Sequence, residues 1–161
     1  MKSYIYIKHH WMNVSTTITI NSNGWQSAFG TQCIDKDVFS WYFKILKWSY
    51  DGSSRTPPYI GILEDTEENW NNAVGYELCC KTMSLNGPSQ GQLKHYSEKK
   101  DICSFSKPGQ ILEMRLDLNA KTLKFSIDNK INIASFSNIK DTKYTMNVRF
   151  VFGFGSQLLL L

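Results

Sequence analysis

The chain has 161 residues, 42% hydrophobic, 20% charged and 14% aromatic, with a formal net charge of +4 from 18 basic and 14 acidic side chains. That length suits one domain able to bury roughly 70% of its unfolded surface, and the apolar content excludes a disordered chain. No run of like charges is longer than Glu67-Glu68 or Lys99-Lys100, which speaks against a nucleic-acid footprint, and the closing Leu158–Leu161 run is far short of the ~20 apolar residues of a membrane span.

From the N-terminus, residues 1 to about 15 are mixed and aromatic and read as a strand or arm. Residues 1–10 are assigned to the arm and 11–161 to a single β-sandwich domain. Thr16-Thr-Ile-Thr-Ile20 alternates with the two-residue period of a strand that buries one face. Asn21-Ser-Asn-Gly24 is a turn cluster, and Trp25 follows it. From Phe39 to Leu46, Phe39, Trp41, Phe43 and Ile45 share one face, and Ser40, Tyr42, Lys44 and Leu46 the other. That pattern predicts a central strand, packed hard on one side and partly covered on the other. Residues 48–58 carry Ser, Gly and Pro and read as a loop. Tyr59-Ile-Gly-Ile-Leu63 reads as a short buried strand in which Gly61 lets a neighbour approach closely. Glu64 to Asn72 is an acidic loop containing Trp70, and Val74 to Lys81 is the next strand, with Tyr76, Leu78 and Cys80 on one face. Asn86-Gly-Pro88 and Gly91 mark a further loop, and the polar segment from Lys94 to Pro108 reads as a long surface connection.

The clearest pattern lies between Ile111 and Lys130. Leu112, Met114, Leu116 and Leu118 alternate with Glu113, Arg115 and Asp117; after Asn119-Ala120-Lys121, Leu123, Phe125 and Ile127 alternate with Lys124, Ser126 and Asp128. This is a β-hairpin whose register is written in its side chains, and it needs further strands to cover its apolar face. Tyr144, Met146, Val148, Phe150 and Phe152 share a face opposite Thr145, Asn147 and Arg149; Gly153-Phe-Gly155 turns the chain, and Gln157 to Leu161 closes it with a last strand. No stretch carries a helical period. Many short strands separated by turns predict an all-β sandwich.

Several segments resemble a known family. Lys107 to Asp117, then Leu123 to Lys130, then Ala134-Ser-Phe136 resemble the C-terminal half of a SPRY (B30.2-type) domain. Phe39 to Ile45, Tyr59-Ile-Gly-Ile62, Val74-Gly-Tyr76 and Tyr144 to Phe152 resemble that family's earlier and later strands in the family's order. Gln110 stands where the family usually has Asp, and Asp128-Asn129 where it usually has Asn-Gly; both are turn positions. The resemblance covers Trp11 to Leu161. It implies a bent β-sandwich of two antiparallel sheets, lectin-like in architecture, acting as a non-enzymatic module that binds peptide segments through loops at one edge.

Catalytic and metal chemistry find little support. His9, His10 and His95 have no Cys, Asp or Glu at ligand spacing, and no nucleophile elbow, P-loop or zincin motif occurs. Cys33, Cys79, Cys80 and Cys103 lack C-x-x-C spacing and read as reduced thiols. Glu64, Asp65, Glu67 and Glu68 could offer a carboxylate pair, but in a row on a loop they read as a solvated acidic turn. The expectation is no enzyme, no metal and no cofactor. With no signal peptide evident, Asn13-Val-Ser15 reads as a chance sequon, and a cytoplasmic location is expected.

Binding finds more. The loops carry Trp25, Tyr50, Arg55, Tyr59, Trp70 and Tyr96, residue types that supply hot spots because they bury much area and keep a polar handle. Trp41 and Trp48 read as core or core-edge, and Trp70 equally fits a plug at one end of the sandwich. In the SOCS-box group of SPRY proteins, a V-G-Y tyrosine and a V-W-G triplet help form a peptide cleft. The resemblance carries these roles to Tyr76 and to Val151-Phe152-Gly153. Phe152 lacks an indole N–H, so ligand preference should differ from that group. Its arginine-bearing early loop has no match between Asn21 and Thr31. The expected peptide-binding residues are therefore Tyr76, Val151, Phe152 and Gly153, with Trp25, Arg55 and Trp70 around them. A monomer is expected, with a protein or peptide as its partner and not nucleic acid or membrane. Two rival readings are a carbohydrate-binding sandwich and a structural subunit whose aromatic loops meet a permanent partner.

Overall fold

The structure, a computed structural model, describes residues 3–7, 16–19, 26–47, 59–64, 75–82, 90–95, 98–102, 108–128, 133–150 and 157–161. Within them the chain forms thirteen strands: β1 (Ser3–Ile7), β2 (Thr16–Thr19), β3 (Gln26–Ile34), β4 (Val38–Lys47), β5 (Tyr59–Glu64), β6 (Gly75–Thr82), β7 (Gln90–His95), β8 (Glu98–Ile102), β9 (Ile111–Asp117), β10 (Thr122–Ile127), β11 (Ala134–Ser137), β12 (Tyr144–Phe150) and β13 (Gln157–Leu160). They make a seven-stranded sheet in the order β1-β3-β12-β5-β6-β7-β8 and a six-stranded sheet in the order β11-β10-β9-β4-β13-β2. Neighbours are antiparallel except at one edge, where β1 runs parallel to β3. Among the described residues no helix is long and apolar enough to cross a membrane.

The hairpin has the expected register, with Thr122 opposite Asp117 and Ile127 opposite Leu112. Its turn is closed by the Ala120 amide, which donates to Asp117 Oδ1 at 2.8 Å, and Lys121 takes the left-handed conformation at φ 52°. Leu112, Met114, Leu116, Leu123, Phe125 and Ile127 all enter the core between the sheets. There they meet Trp41, Phe43 and Ile45 from β4, which is interior to its sheet as its alternation predicts. Tyr42 and Leu46, on the opposite side of β4, are exposed.

Three segments differ from expectation. The run from Lys94 to Pro108, expected as a surface connection, contains β8, the outermost strand of its sheet, and Gly91, expected in a loop, lies within β7. An edge strand pairs on one side only, and charged residues suit it because they discourage further pairing. Glu98-Lys-Lys-Asp101 thus lacks the apolar alternation by which strands announce themselves. On β12, Thr145 and Asn147, expected opposite the apolar face, are themselves buried. Phe29 and Leu63 are fully buried yet lie outside the cluster between the sheets. The seven-stranded sheet is therefore covered on both faces around β3, β12 and β5.

Candidate binding site

The strand register decides which site residues can meet. At one end of the seven-stranded sheet, Phe150 stands opposite Gln26, and Arg149 stands opposite Ser27 on one side and Tyr59 on the other. Tyr59 in turn stands opposite Cys79. The chain enters β3 from Trp25, enters β5 from the segment bearing Arg55, and leaves β12 into Val151-Phe152-Gly153. These three segments therefore issue from adjacent strand ends. Trp25, Arg55, Trp70, Val151, Phe152 and Gly153 themselves lie outside the described residues.

Tyr76 belongs elsewhere. It pairs with Ile62, three residues along β5 from Tyr59, or about 10 Å at the rise of a strand. Position 70 falls in the connection between Glu64 and Gly75, which leaves and re-enters the sheet at this second end. Tyr76 is only 8% exposed and is part of the core. Its ring stacks on His95 at 3.8 Å and 2°, with the ring of Phe136, from the other sheet, edge-on at 5.2 Å. The phenol oxygen accepts from the Lys140 amide at 3.4 Å. Lys140 is a junction: its carbonyl accepts from Tyr144 Oη at 2.7 Å, and its ammonium donates to Glu64 Oε2 at 3.0 Å. Glu64, weighed as one member of a catalytic carboxylate pair, is thus a buried partner of a lysine; Asp65, Glu67 and Glu68 lie outside the described residues. His95 is half-buried, with Nδ1 3.3 Å from the Gly75 carbonyl oxygen. Among the described residues no group of His, Cys, Asp and Glu could hold a metal ion.

A polar seam lies on the covered outer side of the same sheet. Asn147 stands opposite Gly61, and Gly61 opposite Glu77. With no side chain at position 61 to intervene, Asn147 Nδ2 donates to Glu77 Oε1 at 3.0 Å. These side chains are 0% and 2% exposed, and Asn147 Oδ1 has no hydrogen-bond partner among the described residues. Thr145 Oγ1 donates to the Gly30 carbonyl at 2.7 Å. Sequence reading missed this seam because alternation assigns polar residues to water. The only signal in the sequence was Gly61 itself, a glycine inside an apolar strand, which marks a close approach but not the polar pair beside it.

The open face of the six-stranded sheet carries a second network. Glu113 Oε1 accepts from Ser40 Oγ at 3.1 Å and from Tyr42 Oη at 3.2 Å, and Oε2 accepts from Ser126 Oγ at 3.1 Å. Burial first, and then the Glu113 charge and hydrogen bond, push the Tyr42 phenol above its ordinary 10.0, against smaller opposing effects of Ser40 and Arg115.

No protein-family model matches the sequence, and comparison with curated proteins finds no relative. Solved structures do match. The SPRY domain of human HERC1 superposes with a TM-score of 0.62 at 16% identity, over 89% of this chain and 86% of that one. The PSpry domain of TRIM65 gives 0.59 at 18% identity, over 84% and 70%. This is the SPRY fold. It is also close to lectin-like sandwiches: the carbohydrate recognition domain of Emp46p gives 0.58 at 14% identity, over 90% and 78%. All three neighbours are β-sandwiches, as the alternation in this chain predicts.

Proposed function

We propose that this SPRY-fold protein is a non-catalytic interaction module, an adaptor or substrate-recognition part, that binds a short segment of a partner protein. The binding end is the one where β3 and β5 begin and β12 stops. The observation that carries this reading is the register that sets Gln26 beside Phe150 and Tyr59 beside Arg149, so that the segments bearing Trp25, Arg55 and Phe152 leave the sheet side by side. Trp, Arg and Phe close in the chain to the strand ends of a rigid sandwich supply apolar area and a planar cation. Tyr76 then supports the fold behind the opposite end rather than touching the peptide.

The test compares immobilised wild type, a Trp25→Ala/Phe152→Ala double variant, and Tyr76→Phe, which keeps the ring and removes only the hydroxyl. A partner captured by wild type and by Tyr76→Phe should be lost by the double variant, with affinity weakened by about 2 kcal/mol or more, while circular dichroism shows all three folded. Full retention by the double variant would discard this end as the site. A second reading, carbohydrate binding, is favoured by the likeness to the Emp46p carbohydrate recognition domain. Glycan-array binding that disappears in Trp70→Ala would support it.

A further inference from the structure

The large hydrophobic side chains exposed among the described residues are Val38, Tyr42, Leu46 and Leu161. Three of them stand on the open side of β4, and the fourth adjoins it, since the Leu161 amide donates to the Tyr42 carbonyl at 2.9 Å. Lys44 lies between Tyr42 and Leu46 on β4, flanked in the ladder by half-buried Ile111 and Leu159. The result is a strip of apolar side chains along the middle of a sheet, interrupted by Ser40 and Lys44. Exposed apolar surface gathered in this way marks an interaction site more often than scattered residues do.

Charge identifies the partner. Lys44, Lys47, Arg115 and Lys124 stand on this sheet in and around the strip, and Lys124 lies directly opposite Arg115. Like charges facing each other across strands are unfavourable. None of the four has an ion pair among the described residues. The carboxylates of this face are turned to internal work. Glu113 accepts from three hydroxyls, Asp117 caps a turn, and Asp128 accepts from the Ile111 amide.

We propose that this face docks an acidic segment of another protein, seating its apolar side chains on Tyr42, Leu46 and Leu161 and its carboxylates on Arg115, Lys124, Lys44 and Lys47. Tyr42 suits the centre because Glu113 holds its hydroxyl, so little side-chain freedom remains to be lost on binding. A second copy of the chain is disfavoured, because two such faces would oppose their cations. This surface is separate from the loop-bearing end proposed above, and either proposal can fail alone.

The probe is a fluorescein-labelled synthetic peptide alternating leucine and tryptophan with glutamate, compared by anisotropy with its lysine-for-glutamate counterpart. The glutamate peptide should bind at least about tenfold more tightly, and less so at high salt. Leu161→Glu and Lys124→Glu should each weaken it by about fivefold or more. Both alter exposed side chains, so circular dichroism and thermal melts should not change; were one variant to unfold, the other still decides. Equal binding of the two peptides, or binding indifferent to both substitutions, would overturn the proposal. So would loss of the peptide only in Trp25→Ala/Phe152→Ala. Sedimentation showing a dimer that Leu161→Glu dissolves would assign the face to a second copy. Binding to phosphatidylserine vesicles but not to the peptide would assign it to lipid. Either result replaces the acidic partner.

Discussion

A Cβ at position 61 has nowhere to go: it would overlap the Tyr76 carbonyl and crowd the backbone of Glu77. Gly61→Ala must therefore push β5 from β6, in the manner of an overpacked core, and should cost about 1–3 kcal/mol in urea unfolding. The close approach was legible from a glycine inside an apolar strand; the polar pair that bridges above it was not, because a buried Asn–Glu contact leaves no periodic trace. Tyr42 offers a different check. Its folded-state phenol holds its proton more tightly than the unfolded chain does, so its contribution is present below pH 10.0 and is lost as pH rises through the raised folded value. Tyr42→Phe should accordingly flatten the alkaline decline in stability relative to wild type, as measured by urea titrations across that limb.

At the level of elements, legibility followed burial contrast. The β9–β10 hairpin has one face in the core and one in water, so its alternation states strand, register and face together. Phe125, fully buried there, should cost about 3–5 kcal/mol when replaced by Ala, whereas exposed Lys124→Ala should stay within about 0.5 kcal/mol; chemical denaturation of the two variants tests the contrast. The edge strand β8 has no such contrast and was hidden among polar residues. Tyr76 shows how a motif and a period can point different ways. The V-G-Y resemblance made it a ligand contact, while its phase with Leu78, also in the core, set it facing inward.

For the molecule as a whole, the order of motifs along the chain was enough to anticipate the sandwich, because each strand's period is local. Which loops share an end was not, since that depends on pairings between distant segments such as Gln26 with Phe150. The same dependence governs how the protein is made. In the six-stranded sheet, β13 sits between β4 and β2, joining Leu160 to Phe43 and to Thr16. Until β13 has been synthesised, β2 has no partner strand in that sheet and one side of β4 stays open, so the sheet cannot be completed before Leu160 has emerged. Loop closure over that separation is slow, and the nascent chain must keep Phe43 and Ile45 from other company for as long as β13 is still to come.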